Sequence, residues 1–197
     1  MISRYGLLGS IKMSVFFLKT KIFYPRARLI RFPIDIRNKK NIDYGFNLTT
    51  GIGCRLECFP KLPTNDKLLK FGNNVQINDY VHISASELVE IGDNVLMASK
   101  IYISDCSHGS YSGNVDDSSP NSLPASRPLT VKPVKIEDNV WLGEFVSVLP
   151  GVTIGKGTIV GANSVVSKSL PANVIAVGSP AIAIKSYNFD KKIWEKI

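Results

Sequence analysis

Between Ile136 and Val166 an aliphatic side chain returns at every sixth residue: Ile136, Leu142, Val148, Ile154, Val160 and Val166. A helix turns about 100° per residue, so six steps rotate each successive aliphatic by about 240° and no single face collects them. Along a strand, an even spacing keeps them all on one side. Four places after each comes Val140, Val146, Val152, Thr158 or Ser164, again small or β-branched. Turn-forming groups punctuate the run and its upstream counterpart: Asn73-Asn74, Asp93-Asn94, Asp138-Asn139, Pro150-Gly151 and Gly155-Lys156-Gly157. The pattern predicts short strands with one aliphatic inward per six residues and a bend at each turn. Three such units close a triangular coil, and stacked coils bury a continuous ladder.

A second run lies upstream. Phe71, Ile77 and Ile83 are six apart, and Ile91, Met97 and Ile103 follow after an eight-residue step. Ile42, Leu48 and Cys54 form a weaker first run. The rhythm stops after Ile103 and resumes at Val134 or Ile136. The interval SDCSHGSYSGNVDDSSPNSLPASRPLTVKP is rich in Ser, Pro, Gly and Asp. A loop this long inside a compact domain is usually functional or disordered. It carries His108, one of two histidines in the chain.

The segment from Pro133 to Pro180 (PVKIEDNVWLGEFVSVLPGVTIGKGTIVGANSVVSKSLPANVIAVGSP) resembles the hexapeptide-repeat acyltransferases almost throughout. The similarity runs from about Phe71 to Ile184. It is nearest to the galactoside and maltose acetyltransferases and to the enzymes that acetylate bacterial lipopolysaccharide or capsule sugars. The resemblance implies an all-β solenoid, a left-handed parallel β-helix, with an N-terminal helical segment and a short C-terminal helix. The expected division is a basic helical segment over 1–40, the β-helix over 41–178 with an extended loop at 104–133, and a C-terminal extension over 179–197.

The resemblance also implies acetyl-CoA as acyl donor, a homotrimer with sites between subunits, and a sugar or lipid-linked glycan as acceptor. Transfer to a hydroxyl needs a base for the departing proton and donors for the thioester oxyanion. Imidazole suits the first task near neutral pH, and His108 falls where the family carries its catalytic histidine. Asp105 precedes it by three and could orient the imidazole, as a base-orienting carboxylate does. Close relatives read Asp-His-x-His where this chain reads Asp105-Cys106-Ser107-His108. Cys106 as a nucleophile is disfavoured because the family transfers directly. Asn78 matches the residue that holds the acceptor hydroxyl. Asp79 and Tyr80 are weaker acceptor candidates, and Arg127 could meet an acidic sugar or a CoA phosphate. For CoA, the match points to Trp141, Gly143, Glu144, Ala162, Ser167 and Lys185, with Lys168 and Lys185 as cations for the phosphates. Backbone groups of Gly143 and Ala162 could bond the pantetheine amides. Relatives place arginine where this chain has Ile182.

Charge is uneven. Residues 1–40 carry ten basic residues against Asp35 alone, while the whole chain is +8. Residues 3–24 can form a helix with Leu7 or Leu8, Ile11, Val15, Leu18 and Ile22 on one side, and Lys12, Lys19 and Lys21 mostly off that stripe. Two readings follow: a cap on the open end of the solenoid, or a foot on an anionic membrane. No aromatic stacking pattern accompanies the charge, so nucleic acid is not an expected partner. Three sparse cysteines make a poor disulfide framework, and no signal peptide is evident, so a cytoplasmic place is expected. Two histidines do not make the three-histidine site of the related carbonic anhydrases, so no metal is expected. His82 is assigned no chemistry. The alternatives to O-acetylation are N-acetylation of an amino-sugar nucleotide and a non-catalytic β-helix scaffold.

Overall fold

The computed structural model describes residues 2–197. Its centre is a three-sided prism of stacked coils, with a parallel sheet on each side. Face A runs through Gln76–Ile77, Leu96–Met97, Trp141–Leu142, Ile159–Val160 and Val174–Gly178. Face B runs through Ile34–Arg37, Cys54–Cys58, His82–Ala85, Tyr102–Ser104, Ser147–Val148 and Val165–Val166. Face C runs through Ile42–Asp43, Leu69–Phe71, Val89–Ile91, Val134–Ile136 and Thr153–Ile154. All pairings within these three sets are parallel.

The aliphatics spaced by six are the inner wall. Ile136, Leu142, Val148, Ile154, Val160 and Val166 are buried, as are Phe71, Ile77, Ile83, Ile91, Met97 and Ile103. The weaker run of Ile42, Leu48 and Cys54 is buried too. The residues four places on also point inward, so each unit gives the core two side chains rather than one: Val140, Val146, Val152, Thr158 and Ser164 are all buried. The two hydroxyls among them find partners. Thr158 Oγ1 donates to the Pro171 carbonyl at 2.7 Å, and Ser164 Oγ accepts from the Gly178 N–H at 3.0 Å.

Two of the three vertices are fixed by residues in the left-handed region. At the vertex from face C to face A these are Asn47, Asn74, Asn94, Asn139, Gly157 and Asn173. Asparagine tolerates this conformation, and stacked copies bond one another: Asn47 Nδ2 donates to Asn74 Oδ1, and Asn74 Nδ2 to Asn94 Oδ1, each at 3.1 Å. At the vertex from A to B the same conformation falls on Gly53, Tyr80, Lys100, Phe145 and Asn163. The third vertex, from B to C, varies in length from coil to coil. It holds residues 59–68 in one coil, 86–88 in the next, the interval after Asp105 in a third, and the tight turn through Gly151 in a fourth.

The eight-residue step from Ile83 to Ile91 has its explanation at this vertex. The extra residues bring backbone N–H groups without a ladder partner, and Asp105 from the following coil accepts them. Its carboxylate takes the N–H of Ser86 at 2.8 and 3.0 Å, of Glu87 at 2.7 Å and of Leu88 at 2.8 Å, and it is wholly buried.

The ends differ from the sequence reading. The C-terminal extension holds no short helix. Ala181–Asn188 turns back antiparallel along Val174–Gly178, and Ile193–Lys196 pairs antiparallel with it, so face A continues to the C-terminus. The unpaired edge of Val174–Gly178 offers ladder bonds that a helix would leave unmade. The basic segment is not helical throughout 1–40. Helix α1 spans Ile2–Phe23 with a break at Gly6, whose φ is 66° and ψ 179°. Face B already begins at Ile34–Arg37.

α1 docks through Ser10, Phe16 and the wholly buried Thr20. Thr20 Oγ1 donates to the Phe16 carbonyl at 2.7 Å and accepts from the Ile30 N–H at 2.8 Å, tying the helix to the first coil. The aliphatic stripe of α1 is not the packed face.

Replacing Asp105 with alanine leaves the N–H groups of Ser86, Glu87 and Leu88 without an acceptor. At about 1–3 kcal/mol per unsatisfied buried donor, and with Glu87 open to water, a loss of about 2–4 kcal/mol is expected. Urea unfolding followed by circular dichroism measures it.

Candidate functional site

The long interval is an ordered hairpin. Cys106–His108 pairs antiparallel with Leu129–Val131, with His108 opposite Leu129. The segment beyond is knotted by polar contacts. The Tyr111 hydroxyl donates to the His108 carbonyl at 2.7 Å, and Arg127 Nη1 donates to that hydroxyl at 2.8 Å. Arg127 also binds Ser122 Oγ and the Ser122 carbonyl, each at 2.9 Å. Asp117 accepts the N–H groups of Ser112 and Gly113 at 2.7 and 2.8 Å. The Gly113 N–H, foremost among its donors, holds this carboxyl below the ordinary aspartate range. Arg127 therefore fastens the hairpin rather than standing free for an acidic sugar or a phosphate. His108 is exposed on this tied strand.

Asp105 does not orient His108. Both of its oxygens are engaged by the backbone of residues 86–88, and neither bonds the imidazole. Cys106 is half-buried, with Sγ 3.5 Å from Ser104 Oγ. Along the strand the side chains alternate. Ser107 lines a cavity of about 260 Å³ with Thr130, Lys132, Leu149, Pro150 and Ser167. Ser167 and the exposed Lys168 thus stand at the vertex that carries the hairpin.

Asn78 and Asp79 occupy a different vertex, from A to B. Asp79 Oδ1 is used by the fold, accepting the Ile52 N–H at 2.8 Å. The Asn78 side chain makes no hydrogen bond among the described residues. Gly143, Glu144 and Ala162 stack above them on the same vertex. The Gly143 N–H donates to the Val160 carbonyl at 2.8 Å, so it is not a donor for pantetheine. A Cβ on Gly143 would sit 2.7 Å from the Ala162 nitrogen, and only glycine lets the two coils approach so closely. No backbone hydrogen bond among the described residues uses the Ala162 amide. Trp141 stands half-exposed on face A, in one row with Ile159, Ile175, Lys185 and Lys196.

One chain thus separates the sequence-predicted residues. His108, Ser167 and Lys168 are at the B-to-C vertex; Asn78, Asp79, Gly143, Glu144 and Ala162 are at the A-to-B vertex. The four-residue strand His82–Ala85 lies between the vertices, and at about 3.3 Å per residue it alone spans roughly 13 Å.

Face B also holds a charged cluster that the sequence reading passed over. Glu57, only 2% exposed, accepts from Arg55 at 2.7 and 2.8 Å, lies 3.2 Å from Arg37 Nη1, and meets His82 Nε2 at 2.8 Å. Burial alone would raise the Glu57 carboxyl, but hydrogen bonds from Arg55 and His82 and their charges outweigh it and hold it below the ordinary range. His82 packs in turn against the Tyr102 ring at 5.4 Å between centroids. The signal in the sequence was Arg55-Leu56-Glu57, two charges on the outer side of one strand. Its partner His82 belongs to the next coil, which spacing within one strand does not reveal.

A coiled prism of three parallel sheets, with a histidine held on a hairpin at one vertex and glycine-stacked coils at another, is a parallel β-helix. Residues 133–168 match the family model "Bacterial transferase hexapeptide (six repeats)". The chain is 48% identical to WbbJ of Escherichia coli (strain K12), provisionally described as a lipopolysaccharide biosynthesis O-acetyl transferase, over 98% of this chain and 96% of that one. Among solved structures it is similar to the N-acyltransferase AntD of Bacillus cereus in complex with dTDP and 3-hydroxybutyryl-CoA, with TM-score 0.64 and 25% identity over 83% of this chain and 81% of that one. It is also similar to the hexapeptide-repeat acetyltransferase VCA0836 of Vibrio cholerae, with TM-score 0.57 and 26% identity over 76% and 77% of the two chains. The chain belongs to the bacterial hexapeptide transferases, acyltransferases built on a left-handed parallel β-helix.

The Glu57 cluster has a pH consequence. Its folded carboxyl titrates below the unfolded value of about 4.3, so its stabilisation is complete above that pH and is lost as pH falls through the folded value. Glu57→Gln should flatten the acid limb of the stability profile, measured as urea midpoints between about pH 3 and pH 6.

Proposed function

We propose that this chain transfers acetyl from acetyl-CoA to a sugar hydroxyl of a bacterial surface polysaccharide or its precursor, as a homotrimer, with His108 as general base. The single observation behind the role of His108 is its place on the tied hairpin, exposed and fixed at the backbone by Tyr111 and Arg127. In this reading the imidazole takes the acceptor hydroxyl proton as the oxygen attacks the thioester carbonyl. A C–O bond forms, the C–S bond breaks, and the imidazolium returns the proton to the departing thiolate.

The separation of the two vertices supports the trimer. A hydroxyl cannot touch His108 and Asn78 of one chain, whereas two adjacent prisms can bring Asn78 of one copy to His108 of its neighbour. Asn78 can donate and accept at once, which suits a hydroxyl losing its proton. The CoA chain is assigned to the glycine-stacked wall: Trp141 as an apolar surface, Gly143 and Glu144 as the narrow corner, and Ala162 as the backbone group left for an amide. Ser167 borders the hairpin, and Lys168 and Lys185 supply cations for phosphates. The O-acetyl description of WbbJ favours a hydroxyl acceptor, and the acyl-CoA ligand of AntD favours a thioester donor.

Among the described residues no helix is long and apolar enough to cross a membrane. Peripheral contact of residues 1–24 with an anionic membrane, at its cytoplasmic face, is proposed separately from the reaction and is supported by the ten-to-one excess of basic residues in 1–40.

Thiol release from acetyl-CoA, measured across a panel of glycans and amino-sugar nucleotides, tests the reaction. His108→Ala should lower kcat by about 10²–10⁴-fold with little change in KM for acetyl-CoA. Equal rates in the two proteins would remove His108 from the chemistry, and faster turnover with amines would move the assignment to N-acylation.

A further inference from the structure

α1 turns its aliphatic side chains away from the protein. Leu7, Leu8, Ile11, Val15, Leu18 and Ile22 fall within an arc of about 100°, and all are exposed, from 43% at Val15 to 82% at Leu8. Lys12 and Lys19 border the arc on one side and Lys21 on the other. The opposite face, with Gly9, Met13, Phe16 and Thr20, lies against the prism. Among the described residues these six aliphatics have no apolar cover, and keeping them in water is unfavourable.

The packed side of the same helix roofs a cavity of about 370 Å³ over the A-to-B vertex. Gly9, Lys12, Phe16 and Arg31 line it together with Asn78 and Asp79. Lys12 belongs to both features, standing at the rim where the arc ends and the cavity begins.

We propose that α1 lies flat in the surface of an anionic bilayer with the aliphatic arc among the acyl chains, and that the acceptor is a lipid-anchored glycan whose anionic linkage passes Lys12 and Arg31 while its sugar reaches Asn78. The acceptor half rests on the acetyl-transfer reading; the bilayer contact does not. Charge selects the bilayer over a second copy of the chain. Self-association through this arc would set the lysine borders, and a segment with ten basic residues against one acid, against the same charges. Anionic headgroups neutralise them. Too short in apolar length to cross, a helix with such an arc and cationic borders partitions in the plane of the interface.

Flotation of the full chain with phosphatidylcholine vesicles, with and without phosphatidylglycerol, tests the contact. The wild type should float with the anionic vesicles. The double variant Ile11→Asp, Leu18→Asp should bind at least about tenfold more weakly, with unchanged circular dichroism because both positions are exposed. Thiol release is then read with hexosides offered as methyl glycosides in solution and as the same hexosides on hexadecyl chains in the anionic vesicles. The expected result is a preference of the wild type for the vesicle-borne acceptor. The variant should lose that preference and keep its rate on the methyl glycosides. Failure of the wild type to float, equal flotation of the variant, or a fall in the variant's oligomeric mass by light scattering would overturn the bilayer contact. Flotation without transfer to either acceptor would count against the transferase reading and the acceptor half together, and would leave the bilayer contact standing.

Discussion

A triangular coil closes only if the backbone reverses sharply at its corners, and in this chain that requirement falls unequally on the three vertices. Two of them are locked by a residue with positive φ in coil after coil. At one, asparagine meets the demand at little cost and its side chains bond up the stack. At the other, Tyr80, Lys100 and Phe145 accept a conformation that costs an ordinary residue roughly 1–2 kcal/mol. The surrounding ladder, in which the strands flanking these three residues are paired above and below, holds them there. The third vertex carries no such repeated lock, so it is where the chain can lengthen. Every departure from the six-residue rhythm, including the hairpin with His108, is found there.

That asymmetry links the fold to the chemistry. The hairpin is attached to a rigid prism at its one permissive corner, and Asp105 is the rivet that makes the attachment possible. By satisfying the backbone of residues 86–88 it lets one coil run two residues long directly beneath the point where the next coil leaves the prism. Tyr111 and Arg127 then stiffen the projecting part. In the proposed role of His108, a base carried on a loop gains precision only if the loop behaves as part of the scaffold, and these contacts hold the loop in that way.

The sequence exposed the prism because burial there follows a strict period, and Ile136 through Val166 report it directly. It was less informative wherever the partner of a residue lies in another coil. Asp105 beside His108 looked like an orienting carboxylate, yet its bonds run to amides nearly twenty residues earlier. Arg127 looked available and is consumed by Ser122 and Tyr111. Glu57 and His82 are joined only through the stacking of face B. At the C-terminus, Ala181-Ile182-Ala183-Ile184 alternates as a strand should, but the reason it folds back is the open edge of Val174–Gly178, which is a property of the assembled sheet. For α1 the helix was legible and its docking was not: the aliphatic stripe suited a cap on the solenoid or a foot on a membrane, and the molecule buries Ser10, Phe16 and Thr20 and leaves the stripe exposed.

The confinement of length changes to one vertex also bears on how such chains diversify. An insertion at either locked vertex would break a column of left-handed residues and shift the register of every coil above it. An insertion at the B-to-C vertex is absorbed locally, as the tight turn at Gly151 and the hairpin after Asp105 coexist in neighbouring coils. The prism therefore works as a chassis with a single socket. The segment between Gly109 and Pro128 can change in length and shape while the coils of the prism keep their register.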